Sequence, residues 1–293
     1  GRKWRDGIHQ AIEAKENVQI TVATGQAARI TIQDLFLRYR YLGGMTGTAR
    51  SATREFRKVY KLNVIQIPTN RPNQRKQWQD EVSGNADAKW AAIVDEVRRV
   101  HEEGRPVLIG TRSIEKSETL SRQLDDAGIN HQVLNAHEVE READIVAQAG
   151  QGGKVTVATN MAGRGTDIKL SDGVADIGGL HVICTELHDS ARIDRQLIGR
   201  CARQGDPGSF RQFMSLDDDV LREAHGREKS ERIAKQGEER DRVSPQFASQ
   251  TRKAQAKVEK KHYRDRATML HHEKERKKIQ REIGQDPYLD SAD

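Results

Sequence analysis

Aromatic residues are scarce in this chain, at 4%, and only two of its 293 residues are cysteines. Cys184 and Cys201 cannot build a disulfide framework and lack metal-ligand spacing, so both read as small core or site-lining residues of a reducing compartment. No apolar run approaches the roughly 18 to 20 residues that span a bilayer. The opening GRKWRDGIHQ carries charge but no apolar h-region, which excludes a secretory signal there. It begins without Met, so the chain is expected to be a piece of a longer protein. A phosphate-cradling G-x-x-x-x-G-K-S/T loop is also lacking, and no acidic box follows an apolar strand.

What is there is charge, unevenly spread. Charged residues make up 32%, apolar residues 35%, and mean hydropathy is −0.83, so some segment must be strongly solvated if a packed core exists. The net charge is +6, yet residues 246–283 alone hold 12 Lys/Arg against 5 Asp/Glu, which leaves −1 for the remainder. The basic character belongs to the tail. A tail with interspersed acids suits a solvated scaffold helix at least as well as a nucleic-acid or anionic-lipid binder.

Apolar patterning predicts an alternation of strands and helices over residues 85–216. Lys89 to Glu103 shows a helical stripe, Pro106 to Gly110 a buried strand, and Ser113 a cap for a helix stopped by Gly128. Strands follow at Gln132–Leu134, Lys154–Thr159, Leu180–Cys184 and Phe210–Ser215, with helices at Val139–Ala149 and Ile193–Arg203. Strands separated by helices of about a dozen residues imply an α/β fold, a parallel sheet flanked by helices. Val64–Ile67 is a further strand candidate, and the proline-bearing stretch after it reads as an extended linker over 68–84. Residues 217–293 read as largely α-helical, with a long helix over 246–283 whose apolar stripe is too thin for an independent bundle.

Two motifs carry chemistry. AGRGTD places Gly163, Arg164, Gly165 and Asp167 at a strand's end: glycines for positive φ and close backbone approach, a guanidinium for phosphate, a carboxylate for a ribose hydroxyl, a water or Mg²⁺. The bland alternative is a tight turn with a surface Arg–Asp pair. QLIGRCAR places Arg200 and Arg203 on one face of a predicted helix, able to neutralise charge developing on a γ-phosphate; the alternative is a solvated basic face. A third segment, GGMTGTA with Thr46, Gly47 and Thr48, lacks a following lysine and is a poor phosphate cradle, but could relay between lobes. His271, His272 and Glu273 read as an exposed polar face, and no metal site is expected.

These segments, in order, resemble those of SecA, the bacterial preprotein-translocase motor family. GRKWRDGIHQAIEAKENVQI is similar to the stretch after its preprotein-crosslinking domain, and GGMTGTA and IPTNRPNQRK to the passage between its two nucleotide-binding folds. PVLIGTRSIEKSETLSRQL, HQVLNAHEVEREADIVAQAG, VTVATNMAGRGTDI and RIDRQLIGRCARQGDPG are similar to motifs of its second fold, and QTRKAQAKVEKKH to the start of its helical scaffold. The resemblance implies RecA-like architecture: the end of the first fold over 1–67, a linker over 68–84, the second fold over 85–216 and the scaffold over 217–293. It implies ATP with Mg²⁺ as cofactor, most Mg²⁺ ligands lying outside these residues. Arg200 and Arg203 would reach the nucleotide across the lobe interface, Asp167, Arg164, Gly165 and Gly163 would bind it, and Thr46, Gly47 and Thr48 would couple the lobes.

The partners implied are the SecYEG channel, unfolded preproteins, an anionic membrane surface and a second copy in a homodimer. The place implied is the cytoplasmic face of the bacterial inner membrane. The chain departs from the family at Leu187, Ala191 and Ile198, where arginine is usual, and at Cys201 and Ala202, where Ser and Gly are commoner. Two other readings fit the lobe pattern: a superfamily 2 RNA helicase lobe, disfavoured by WRDGIHQAIEAKE and by the charge outside the tail, and a non-catalytic module.

Overall fold

The protein is described from a computed structural model covering residues 8–20, 30–134, 142–159, 165–237, 240–244 and 246–288. In chain order the elements are α1 (Ile8–Lys15), α2 (Ile32–Leu37), α3 (Thr53–Glu55), β1 (Gln74–Gln77), β2 (Glu81–Ser83), α4 (Ala86–Glu102), β3 (Val107–Thr111), α5 (Ile114–Asp126), β4 (Gln132–Leu134) and α6 (Glu142–Gln148). There follow β5 (Val155–Thr159), β6 (Leu180–Cys184), α7 (Ala191–Ile198), β7 (Pro207–Ser215), α8 (Asp219–His225), α9 (Arg227–Lys235) and α10 (Gln246–Glu282). They form two compact units. One holds Met45–Phe56 and Asn63–Arg264; the other holds Gly1–Gly44, Arg57–Leu62 and Asp265–Asp293.

The larger unit is built on a parallel sheet ordered β1-β7-β6-β3-β5-β4, with β2 also pairing β7. Register alternates side chains between two covered faces. Val107 and Ile109 of β3 meet α4 and α5 through Ile93, Val97, Leu120 and Leu124, while Leu108 faces the opposite layer with Val146, Leu197 and Ile198 of α6 and α7. A third cluster joins Leu187, Met214 and Leu216, after β6 and along β7, to α8 and to Ala254 and Val258 of α10. The sheet is buried on both sides, as near-continuous apolar strands such as VLIGT and LHVIC require. Both cysteines are free and buried.

Local signals act as read. Ser113 Oγ accepts from the Lys116 N–H, and Gly128 takes φ +70° after α5. Three expectations fail. The 68–84 stretch is not a mere linker, because β1 and β2 add to the β7 edge inside it. Val64–Ile67 is not a strand; Ile65 and Ile67 are exposed, with no sheet to pair with. The helix predicted over Ile193–Arg203 spans Ala191–Ile198 and ends at Gly199. Of the Val139–Ala149 helix, residues 139–141 lie outside the described residues, and α6 covers Glu142–Gln148.

In the smaller unit, Thr31 caps α2 through the Asp34 N–H. Asp34 Oδ2 lies 2.7 Å from Lys277 Nζ, and the Arg38 guanidinium sits 4.0 Å above the Tyr288 ring. No helix among the described residues is long and apolar enough to cross a membrane.

Candidate nucleotide-binding site

The AGRGTD segment leaves the end of β5. Gly163 and Arg164 lie outside the described residues. Gly165 follows at φ +97°, with open space where a Cβ would sit, so the backbone conformation rather than a close neighbour calls for glycine there. Downstream the segment is pinned by buried Ile168, packed in the α6–α7 layer. It is pinned again by Lys169, whose carbonyl passes so close to Gly150 that a Cβ there would stand 2.0 Å away. Thr166 and Asp167 lie immediately before these two fixed points, each partly open to solvent.

α7 brings the two arginines to that segment. Its N-terminus is capped by Ser190, and Leu197 packs so tightly on β3 that a Cβ on Gly110 would lie 2.1 Å from Leu197 Cδ2. The helix ends at Ile198 with Gly199 as its C-cap, short of both arginines, and the backbone then turns left-handed at Ala202 (φ 54°), Gln204 (φ 53°) and Gly205 (φ 91°). Arg200 and Arg203 therefore do not share a helix face. They meet by a different route. Arg200 Nη1 donates to the Thr166 carbonyl at 3.1 Å. Arg203 Nε donates back to the Gly199 carbonyl at 2.9 Å, and its Nη1 donates to Asp167 Oδ1 at 2.6 Å.

The Arg203 and Asp167 side chains remain 34% and 40% exposed. A pair that open holds little stability, at most about 1 kcal/mol, so it can exchange partners when an anion or hydroxyl arrives. The arrangement offers two guanidiniums and a carboxylate aimed at one short stretch of backbone.

GGMTGTA forms its own hydrogen-bonded turn. Thr46 Oγ1 lies 3.2 Å from Thr48 Oγ1 and accepts from the Thr48 N–H at 3.3 Å; Thr48 is buried, and no atom approaches a Cβ on Gly47. The following helical turn supplies Ser51, whose Oγ accepts from Arg195 Nη2 of α7 at 2.7 Å. That link between the turn and the arginine-bearing helix had no signal in the sequence.

Other charged groups gather at the C-terminal ends of β3 and β6. Lys116 Nζ lies 2.7 Å from Glu186 Oε2 and 2.9 Å from Asp219 Oδ2. Burial alone would lower the lysine's pKa, but the two carboxylates outweigh it and raise it; Lys116 in turn holds Asp219 below its ordinary value. Asp189, Glu223 and His262 also converge closely enough to be read as three potential metal ligands. They already have partners: His262 Nε2 sits 2.8 Å from Glu223, and Asp189 accepts from Arg112 at 2.5 Å.

The sequence matches the SecA P-loop domain family over residues 72–175 and 170–241, and the SecA DEAD-like domain family over residues 3–57. It is 64% identical over its whole length to protein translocase subunit SecA 2 of Rhodopirellula baltica, of which it spans 45%. It is 50% identical over 92% of its length to protein translocase subunit SecA of Desulfovibrio desulfuricans, spanning 32% of it, and 54% identical over 76% of its length to SecA 2 of Bacillus thuringiensis, spanning 28%. The chain thus spans less than half the length of these relatives. Among solved structures, the Escherichia coli DEAD-box protein SrmB overlays 52% of this chain and 82% of its own at 24% identity and TM-score 0.41; the second helicase domain of Mss116p overlays 53% and 60% at 16% identity and TM-score 0.39. With its helix-flanked parallel sheet and family matches that together cover most of its length, this chain belongs to the SecA family.

Proposed function

We propose that the chain supplies the second lobe of the ATP site in a motor that drives unfolded preproteins through the SecYEG channel. The observation that carries this is the convergence of Arg200 and Arg203 on Thr166–Asp167. The donor set fits one side of a nucleotide: guanidiniums for phosphate oxygens, a carboxylate for ribose hydroxyls. Asp167, held by Arg203 at 2.6 Å, suits a hydroxyl better than Mg²⁺. ATP with Mg²⁺ would supply the phosphoryl group and the neutralising cation, and a P-loop lysine and most Mg²⁺ ligands would come from residues outside this chain.

In this reading residues 1–67 finish the first fold, 85–216 carry the second-lobe motifs and 217–293 begin the helical scaffold. Arg203 gives up Asp167 as it takes a phosphate oxygen, while its bond to the Gly199 carbonyl keeps it oriented. Arg164 and Gly163, of the same AGRGTD motif, would bind the nucleotide with Asp167. Thr46, Gly47 and Thr48 couple the lobes by way of Ser51 and Arg195. The motor works at the cytoplasmic face of the inner membrane, against an anionic lipid surface, alone or as a homodimer, with no nucleic-acid track.

The test is ATP turnover and preprotein transport into SecYEG vesicles by the intact protein, beside turnover by this chain alone. Turnover and transport by the intact protein, with none by this chain, are the expected result. Turnover by this chain alone would overturn the shared-site reading, and tight, steeply salt-dependent RNA binding would overturn the translocase reading.

A further inference from the structure

α7 is gripped at its N-terminus by the long helix α10. Gln255, buried on α10, donates its amide twice: to Asp194 Oδ2 in the first turn of α7 at 2.6 Å, and to the His188 carbonyl just before that helix at 2.8 Å. Asp194, itself buried, also accepts from the His188 N–H at 3.0 Å and from His188 Nδ1 at 2.7 Å. One turn further along α10, Glu259 Oε1 accepts from Ser190 Oγ at 2.5 Å and from the Ala191 N–H at 2.9 Å. A carboxylate on two donors at a helix N-terminus satisfies groups the helix itself cannot bond, and it sits at the positive end of the helix dipole.

The same face of α10 is anchored by Ala254 and Val258, packed with Leu187. Along its length α7 is further tied by Arg195 to Ser51, and its C-terminal end delivers Arg200 and Arg203 to Thr166 and Asp167. An eight-residue helix is short and stiff, about 12 Å long at 1.5 Å per residue. A displacement of α10 therefore moves α7 as a rod and changes where the two guanidiniums point.

We propose that Gln255 and Glu259 are positioning residues: from α10 they set the placement of Arg200 and Arg203, so that the load on the long helix and the state of the nucleotide site bias one another. The proposal rests on the nucleotide-site reading above for its functional half; its structural half stands on the hydrogen bonds alone.

The experiment compares the intact protein with its Gln255→Ala, Glu259→Ala and Glu259→Gln variants in two ways, by amide hydrogen exchange and by the kcat and KM of ATP turnover. In both alanine variants exchange should rise about tenfold or more at residues 199–204 while β3 keeps its protection, and kcat should fall about tenfold with KM changed less than about threefold. Glu259→Gln keeps an acceptor for Ser190 and Ala191 and should stay within about twofold of the parent.

Exchange confined to residues 188–194 would overturn the proposal, because the rod would not transmit. Exchange raised across the whole sheet, or equal damage from Gln and Ala at 259, would reduce both residues to a structural role and overturn it too. If the parent itself turns over no ATP, the nucleotide reading falls and the exchange pattern still decides the coupling.

Discussion

Arg203 holds two oxygen partners at once: Nε donates to the Gly199 carbonyl at 2.9 Å and Nη1 to the Asp167 carboxylate Oδ1 at 2.6 Å. The first bond closes the end of α7, and the second crosses to the loop after β5. Such a side chain is oriented before any ligand arrives, so its contribution should appear in the transition state more than in binding. Arg203→Ala in the intact protein should lower kcat about a hundredfold or more while the dissociation constant for ATP moves less than about threefold. Steady-state kinetics beside nucleotide titration checks this. Equal losses in both would make Arg203 a ground-state ligand.

Ala202 occupies the left-handed region at φ 54°, between the two arginines. A Cβ costs roughly 1–2 kcal/mol there, part of which glycine gives back as extra freedom in the unfolded chain. Ala202→Gly should therefore raise stability by about 0.5–1 kcal/mol, read as a higher urea midpoint. A lower midpoint would mean that the Ala202 methyl packs well enough to outweigh the strain. The resemblance to SecA, where glycine is commoner at this place, runs in the same direction.

Gly110 and Leu197 share one space. Leu197→Ala should cost roughly 2–4 kcal/mol through the cavity it leaves. Gly110→Ala should cost roughly 1–3 kcal/mol, because its methyl needs the room that Leu197 fills. Combined, the two should cost clearly less than their sum, a coupling that denaturant titration of the four proteins measures. Strict additivity would show that α7 sits further from β3 than described.

The Lys116–Asp219 pair gives stability a pH dependence with a defined sign. Asp219 has its pKa lowered by the Lys116 hydrogen bond against the opposing effect of burial, so its contribution is full above the ordinary carboxylate range and is lost as pH falls through the depressed value. Lys116 has its pKa raised, since Glu186 and Asp219 outweigh burial; its contribution is full below the ordinary lysine range and is lost as pH rises through the elevated value. Lys116→Met should reduce the fall of the urea midpoint at both extremes, with Lys116→Arg closer to the parent. An unchanged acid limb in Lys116→Met would remove Asp219 from the account.

Much of the fold was legible because its signals are local. Gln132–Leu134 and Leu180–Cys184 were read to the residue, since buried parallel strands are short apolar runs between breakers. Ser113 and Gly128 bounded α5 through capping chemistry that involves only neighbours. β1 was missed because an edge strand of Gln, Arg and Lys has no apolar alternation to show. Val64–Ile67 had the right residue types but no sheet neighbour, and pairing is not a property of the segment alone. The end of α7 was misplaced because Gly199 was passed over as a stop and the left-handed turn at Ala202 lies on a residue that rarely makes one.

The site was legible as residue types and not as geometry. The sequence singled out Arg200, Arg203 and Asp167, and the structure brings the two arginines to Thr166 and Asp167, yet the helix face invoked for the arginines does not exist. Gln255 and Asp194 are 61 positions apart, and nothing in either neighbourhood marks the pair.

The strands that precede α4 have one more consequence. β7 runs nine residues, and β1 and β2 pair along its outer side at Pro207–Phe210 and Phe213–Ser215. Without them the longest strand of the sheet would show bare amide and carbonyl groups to any second copy with a free strand. The polar stretch before α4 thus covers that edge. A protein trimmed to start at residue 85 would lose solubility before it lost its core.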